Sequence, residues 1–371
     1  MKWREAFGLT HDREADGDRL VREIVRLMSS VLRCYRPEEV VRIGLAANGP
    51  VRYDVGGILR LGWPRRATAT PFYNYPIMEG MGRMLRELCG EEYSDVAWSE
   101  RVVVLHDAAA AVLGETGPGG VFAGCQDAAV VVIGTGIGLG VIENGRLYPG
   151  DDSLAEERML ASLGRRLVYV PDHTVEHGYR YEYRSIEWGE TRVAIDGTRG
   201  ETHFAERVAG PWLAERLVRE LAHLDKTEHS LVTRAMGLSR VPPEHLEQLV
   251  LRRTFHEWRE LEVRVLEGLT AAALANNPWA IERIRAVGTE IGRALLKFVE
   301  QFEDRPFTQR VALASTVAER LGLGVNDGLT GADLLMQCVN EAIRHRRGID
   351  CQVVRSSNYD RELLAFAPAQ S

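Results

Sequence analysis

The sequence predicts an α/β chain made of two domains or one two-lobed unit, and three observations carry that expectation. Its 371 residues exceed two ordinary domains of roughly 150 residues each. Runs with helical apolar spacing alternate with short apolar strand-like runs. Gly117-Pro118-Gly119-Gly120 breaks a helix just before a new strand begins, which places an amino-terminal lobe at 1–117 and a carboxy-terminal lobe at 118–371.

Leu20 to Leu32 has apolar residues at helical spacing and leads through Pro37 into Val40–Ala47, a strand that ends at Asn48-Gly49-Pro50. After a loop-rich stretch marked by Gly56-Gly57 and Gly62-Trp63-Pro64, Pro76 to Leu88 reads as a helix and Arg101 to Leu105 as a strand. Asp107 takes the N-cap position of an alanine-rich helix, Ala108–Glu115. Ala128 to Ile133 is a strand entering Gly134-Thr135-Gly136-Ile137-Gly138-Leu139-Gly140, and Val141-Ile142 then lead to an Asn144-Gly145 hairpin turn. From Leu154 to Thr202 the text is polar, aromatic and irregular, and from Glu206 to Glu300 it is mostly helical. Val241-Pro242-Pro243 opens one of those helices, with Leu246, Leu249, Val250, Trp258 and Leu261 near one core-facing side. A strand–turn–helix unit spans Arg310 to Arg346, followed by a short strand at Cys351–Arg355 and a helical turn. There is no repeat of solenoid period.

Composition excludes several functions. The net charge is −7, so no basic field draws the chain to nucleic acid or an anionic membrane. The longest apolar runs fall far short of the roughly 20 residues needed to span a bilayer, and the amino terminus has no signal-peptide core, so a cytoplasmic location is expected. Cys34, Cys89, Cys125, Cys338 and Cys351 are scattered without a CxxC pair, and they read as reduced, buried thiols.

The glycine run is the first candidate for chemistry. Glycines let backbone N–H groups approach an anion, because no Cβ stands in the way. A dinucleotide fingerprint needs a helix directly after its glycines, whereas here a strand and a hairpin follow. A P-loop needs GxxxxGK[ST], which is missing, and the lysines are Lys2, Lys226 and Lys297. Two readings stand: a phosphate cradle, or a glycine-rich hairpin that packs tightly. Asp107 also has two. A carboxylate fixed between strand and helix suits a general base for a hydroxyl, and it equally suits a plain helix cap.

Two further constellations carry less. His173-Thr174-Val175-Glu176-His177 has the i, i+4 histidine spacing of a zinc helix, but Pro171 and the loop-like surroundings favour solvated surface histidines. Tyr179, Tyr181, Tyr183 and Trp188 alternate with charged residues, as on a half-buried strand.

Taken together, these residues resemble the ROK family of bacterial sugar kinases and repressors. Ile43-Gly44-Leu45-Ala46-Ala47-Asn48-Gly49-Pro50-Val51 is similar to the family's strand ending in a PGPV turn. His106-Asp107-Ala108-Ala109-Ala110-Ala111-Val112-Leu113-Gly114-Glu115 is similar to its NDANAAALGE segment, and Gly134 to Gly138 matches its GTGIG loop. Asn277-Pro278-Trp279-Ala280 and Gly288 to Val299 look like its helix pair before the adenosine-site strand. The resemblance implies a two-lobed, actin-like (ribonuclease-H-like) ATPase fold. It also implies ATP and Mg2+ as cofactors and a sugar as substrate. It makes Asp107 the base, assigns phosphate contacts to Gly134, Thr135, Gly136 and Gly138 and a nucleotide contact to Thr316, and assigns sugar contacts to Asn48, Gly49, His106, Asp107 and His203.

The chain departs from the family in four places. The DxGGTK strand with which family kinases begin has no counterpart, and Met1 falls where the third strand is expected. The family's zinc segment, CxCGNRGCLE, aligns with text in which Ala194, Asp196 and Glu201 replace the cysteines, so no zinc is expected. His106, Ser162 and His203 stand where the family has sugar-binding asparagine and glutamates. Val311-Ala312-Leu313 leads into Ala314-Ser315-Thr316 where the adenosine site has a glycine triplet, and side chains there crowd a nucleotide. A missing central strand leaves unpaired edges, for which three readings stand: a start further upstream, an N-lobe rebuilt by other segments, or a partner over the gap, of which a homo-oligomer contact is the expected form.

The resulting expectation is ATP-dependent phosphoryl transfer to a sugar hydroxyl with Asp107 as general base. The alternative is a non-catalytic relative that keeps the fold to bind a sugar-like ligand or a protein. With no winged-helix segment before the lobes, a DNA-binding repressor form is not expected.

Overall fold

The computed structural model of the chain describes residues 13–47, 51–52, 57–58, 75–134, 136–147, 170–171, 179–180, 192–194, 201–203, 207–221, 223–224, 226–239, 255–301, 306–314, 317, 320–322, 325, 333–344 and 350–356. It is a mixed α/β fold in which a central sheet is flanked by helices.

In the amino-terminal part, helices α1 (Arg13–Leu32) and α2 (Ile77–Leu88) pack around Tyr75. The buried Tyr75 ring lies against Gly17 and Gly80, and its hydroxyl donates to Asp18. Beside the helices runs a parallel pair, β1 (Ile43–Ala47) and β4 (Val102–His106), in register from Ile43↔Val102 to Ala47↔His106. Strand β4 is pinned at its start by the short helix α3 (Trp98–Arg101). Trp98 stacks on Tyr93 at 5.4 Å and donates its Nε1–H to the Tyr93 carbonyl at 2.8 Å. Arg101 covers the Trp98 ring and donates to the carbonyls of Pro37 and Val40 at 2.7 and 2.8 Å. A short antiparallel pair, β2 (Val51–Arg52) and β3 (Gly57–Ile58), completes this part.

From β4 the chain turns directly into helix α4 (Asp107–Thr116) and then enters a five-stranded sheet whose order is β13 (Gln352–Arg355), β12 (Arg310–Ala314), β5 (Ala128–Ile133), β6 (Ile137–Glu143) and β7 (Arg146–Leu147). Strand β5 (Ala128–Ile133) is buried throughout, as a strand with both faces covered must be. Ala129, Val131 and Ile133 face one core, built with helices α5 (Gly210–Leu221), α6 (Lys226–Ala235), α7 (Phe255–Leu274), α8 (Pro278–Gln301) and α9 (Leu334–Arg344). Ala128, Val130 and Val132 face the other core, built with Ala108, Ala111 and Val112 of α4. Strand β6 (Ile137–Glu143) alternates likewise, with Ile137, Leu139 and Val141 toward the helical core. It turns into β7 (Arg146–Leu147) through Asn144 and Gly145, at φ 52° and 73°, the hairpin the Asn-Gly pair predicts.

On the other side of β5, β12 (Arg310–Ala314) and β13 (Gln352–Arg355) continue the sheet in parallel. Asn340 of α9 both accepts from and donates to the Val353 backbone, at 2.9 and 2.8 Å, and Arg355 forks onto Asp333 at 2.8 and 2.9 Å. Asn277 caps α8 by accepting the Ala280 N–H at 2.9 Å, with Pro278 as the first helical residue. Between β7 and α5 lie two short antiparallel pairs, β8 (Val170–Pro171) with β9 (Tyr179–Arg180), and β10 (Arg192–Ala194) with β11 (Glu201–His203). The histidine pair His173 and His177, the Val241-Pro242-Pro243 break and the final helical turn lie outside the described residues. Among the described residues no helix is long and apolar enough to cross a membrane.

The structure corrects several sequence expectations. Helix α1 begins at Arg13 rather than Leu20. Apolar periodicity marks only the turns facing α2, whereas the first turns are held by Asp18, paired with Arg83 and Tyr75. Asp107 is not the N-cap: His106 takes that position in extended conformation, and Asp107 is the first helical residue. Arg101 belongs to α3 rather than to the strand, because the Trp98 stack closes a helical turn there. The five cysteines are free, but Cys34 is exposed and Cys125 half-buried, since Cys34 follows the end of α1 on its outer side.

Two outcomes test this packing. A Cβ at Gly140 would strike the Ala108 carbonyl, so Gly140→Ala is expected to cost about 1–3 kcal/mol, read as a lower urea midpoint with an unchanged slope. Burial and the neighbouring Asp350 carboxylate push the Cys351 thiol up to about 11. Iodoacetamide at neutral pH should therefore label Cys34 in the folded chain and spare Cys351 until the chain is unfolded in guanidinium, as peptide mass spectrometry would show.

Candidate functional site

Strand β4 delivers His106 and Asp107 to its carboxyl end, and their side chains meet. The Ala108 N–H is shared between His106 Nδ1 at 3.2 Å and Asp107 Oδ1 at 2.7 Å. The other ring nitrogen, Nε2, lies 3.2 Å from the same Asp107 oxygen. The imidazole is 3% exposed and the carboxylate 30%, so the ring is sealed in while the acid reaches solvent. A carboxylate at the first turn of α4 also satisfies the helix's unpaired N–H groups and its positive end.

The glycine run divides into two halves with different work. Gly138 and Gly140 form the face of β6 turned to α4. A Cβ built on Gly138 would stand 3.0 Å from both the Ala108 Cβ and the His106 Cε1, and 3.8 Å from Asp107 Oδ1. These two glycines let the alanine-rich helix settle onto the strand, which is the tight-packing reading. Gly134 and Gly136 behave otherwise, since a Cβ on either meets no described atom within 4 Å. Gly134 donates its N–H to the Gly136 carbonyl at 2.9 Å and accepts the Gly210 N–H at 2.8 Å, which ties the loop to the start of α5.

Of the sequence-predicted residues, the structure thus brings His106, Asp107 and Gly138 together. Asn48, Gly49, Thr135 and Thr316 lie outside the described residues. Their neighbours are placed: Ala47 is the register partner of His106, and Ala314 is that of Val132 in β5. Gly134 and Ala314 therefore both lie at carboxyl ends of parallel strands, the edge where open α/β sheets bind ligands. His203 is the backbone partner of Arg192, at the end of the β10–β11 pair.

Three residues were not singled out from the sequence. Glu115 is buried at the far end of α4, where it accepts the Val121 N–H at 2.9 Å and the Ser356 hydroxyl, joining the helix to its following loop and to β13. A charged residue on the buried face of an alanine helix was the available signal. Glu262 of α7 is fully buried, with its carboxylate pressed against Gly210 behind the glycine loop. Glu290 of α8 accepts from Arg207 and from Arg216, the latter at 3.2 Å. No local pattern distinguishes Glu262 or Glu290 from ordinary helix-surface residues. Among the described residues no group of three or more His, Cys, Asp or Glu side chains is placed to hold a metal ion.

Residues 96–158, which include β4, α4, β5 and the glycine loop, match the ROK family. No curated protein matches the chain. Among solved structures, a ROK family glucokinase from Streptomyces griseus in complex with glucose and AMPPNP is 16% identical, with a TM-score of 0.53, over 89% of this chain and 80% of that one. A ROK family transcriptional regulator, a homologue of the E. coli MLC protein, is 14% identical, with a TM-score of 0.55, over 96% of this chain and 68% of that one. At such identities the likeness is one of fold. The chain thus carries a segment that matches the ROK family, at residues 96–158, within a fold similar to that of solved ROK-family structures.

Proposed function

We propose that the chain is an ATP-dependent carbohydrate kinase with Asp107 as its general base. The observation that carries this reading is the partly exposed Asp107 carboxylate held beside Gly138, at the end of the loop whose Gly134 and Gly136 would carry a Cβ clear of every described atom by 4 Å. In the proposed step Asp107 accepts the proton of a sugar hydroxyl. The hydroxyl oxygen bonds to the γ-phosphorus as the bond to the β–γ bridging oxygen breaks, releasing ADP. The phosphates lie over the backbone of Gly134–Gly138, with the Thr135 hydroxyl among their donors and Thr316 near the nucleoside. Mg2+ would bind with the nucleotide and neutralise charge on the phosphates that the Gly134–Gly138 backbone would hold.

A sugar fits as acceptor because Ala47, the last described residue before Asn48 and Gly49, is paired with His106. The Streptomyces griseus glucokinase, solved with glucose and AMPPNP, offers the parallel in a shared fold.

Calorimetric titration with Mg-ATP, without sugar, should give a Kd tighter than about 1 mM, roughly −4 kcal/mol. No binding at that level would overturn the assignment and favour a scaffold kept for a sugar-like ligand or a protein. In a sugar panel, Asp107→Asn should lower turnover by orders of magnitude while circular dichroism and ATP affinity stay unchanged. Unchanged turnover would remove Asp107 as the base.

A further inference from the structure

We infer that the chain forms a two-fold dimer through the open edge of β1 and the outer face of α1, with the second copy's β1 added antiparallel to this one. The inference does not rest on the kinase reading. Among the described residues β1 has one strand neighbour, β4, which runs parallel to it. The other edge offers the N–H and C=O groups of alternate residues to whatever strand comes alongside. Along it Gly44 and Leu45 are half-buried and Ala46 is exposed, and Val41, just before the strand, is 74% exposed. A parallel pair of five residues is too small to stand as a sheet, and parallel strands are ordinarily covered on both faces.

Helix α1 shows what kind of cover fits. Val21, Val25 and Leu32 are buried in the core it shares with α2 and β1. Leu20, Ile24, Leu27 and Val31 recur at the four-three-four spacing of a helix-pairing seam along a second, outer face. Leu27 is 72% exposed and Val31 61%, and Tyr35, one turn further on, is exposed as well. These three and Val41 fall together between residues 27 and 41, whereas the other exposed large apolar residues, Val121, Leu231 and Leu274, are scattered. Helix α2 packs on β4, and α1 packs on α2. Helix α1 therefore stands on the β1 side, over the sheet face to which Ile43 and Leu45 belong.

A second copy meets both needs with one operation. A two-fold axis perpendicular to the sheet at the β1 edge sets the two β1 strands antiparallel. The same axis keeps both α1 helices on one face of the joined sheet, side by side and antiparallel, so that the outer seams close on each other. Charge agrees with self-association. Glu23 and Arg26 lie beside the seam, 2.9 Å apart, and antiparallel helices bring opposite charges together across the axis. A stable dimer buries about 800 Å2 from each partner. A five-residue strand edge falls short of that, so the α1 face, with Tyr35 and Val41, is a necessary part of the contact.

The test uses the unliganded full chain. Sedimentation equilibrium should give a dimer in reversible exchange with monomer. Leu27→Glu changes an exposed side chain and keeps a good helix former in α1. It should weaken the dimer by at least about tenfold, with circular dichroism unchanged. Leu231→Glu, at another exposed leucine, on α6, should leave the dimer as it is. In hydrogen exchange read by mass spectrometry, peptides covering Ile43–Ala47 should gain protection as protein concentration rises through the dimer constant and lose it in Leu27→Glu. A monomer at every concentration would overturn the inference and leave this edge to a different chain. A dimer that Leu27→Glu does not weaken, or one whose β1 exchange ignores concentration, would overturn it too. Titration with ATP bears on none of these outcomes.

Discussion

The close approach of an alanine-rich helix to a glycine-faced strand is the constraint on which the rest of this structure depends. Gly138 and Gly140 present no side chains to α4, and Ala108 meets them with a single methyl. Any larger residue at either glycine would lift the helix from the sheet, because interiors are packed to crystal-like density and have no slack to absorb a methyl group. The approach fixes two things at once. It buries one face of the five-stranded sheet, and it brings the first turn of α4, with His106 and Asp107, against the strand that continues the glycine loop.

That helix is held from both ends. At its start, the register of β1 with β4 and the Tyr93–Trp98–Arg101 stack hold the strand from which Asp107 emerges. At its finish, the buried Glu115 carboxylate is satisfied by the Val121 N–H and the Ser356 hydroxyl, so α4 is tied to the loop after it and to the last strand of the sheet. A buried carboxylate is tolerated only when its oxygens are so engaged. The glycine loop is held on its far side through the Gly210 N–H, and the Glu262 carboxylate behind Gly210 leaves no room there for a side chain. Proximity of acid and loop is thus a product of both cores, the small one around Tyr75 and Trp98 and the larger one beneath β5.

Much of this was legible in the residues. The buried run Ala128–Ile133, the glycine run after it and the Asn144-Gly145 turn appear where the text puts them, because each has a strong local signature. Asn277-Pro278 marks the start of α8 for the same reason. The start of α1 was not legible, since its first turns lack apolar periodicity and are stabilised by Arg83 and Tyr75, about sixty residues away in sequence. The N-cap was misplaced by one residue because Asp is the commoner capping residue, and only the geometry shows the imidazole Nδ1 facing the Ala108 N–H.

The sequence by itself determined the fold class, the order of elements around α4 and the two motifs of the candidate site, because hydrophobic period, glycine and turn chemistry are local properties. It left the glycine run with two readings. The tertiary structure bears out tight packing at Gly138, which faces a helix methyl and an imidazole, while Gly134 and Gly136 meet no such partner among the described residues, because a glycine's purpose depends on what lies across from it. Likewise the pairing of His106 with Asp107 follows from how the strand end meets the helix, a matter of direction in space that neighbouring letters in a sequence do not fix.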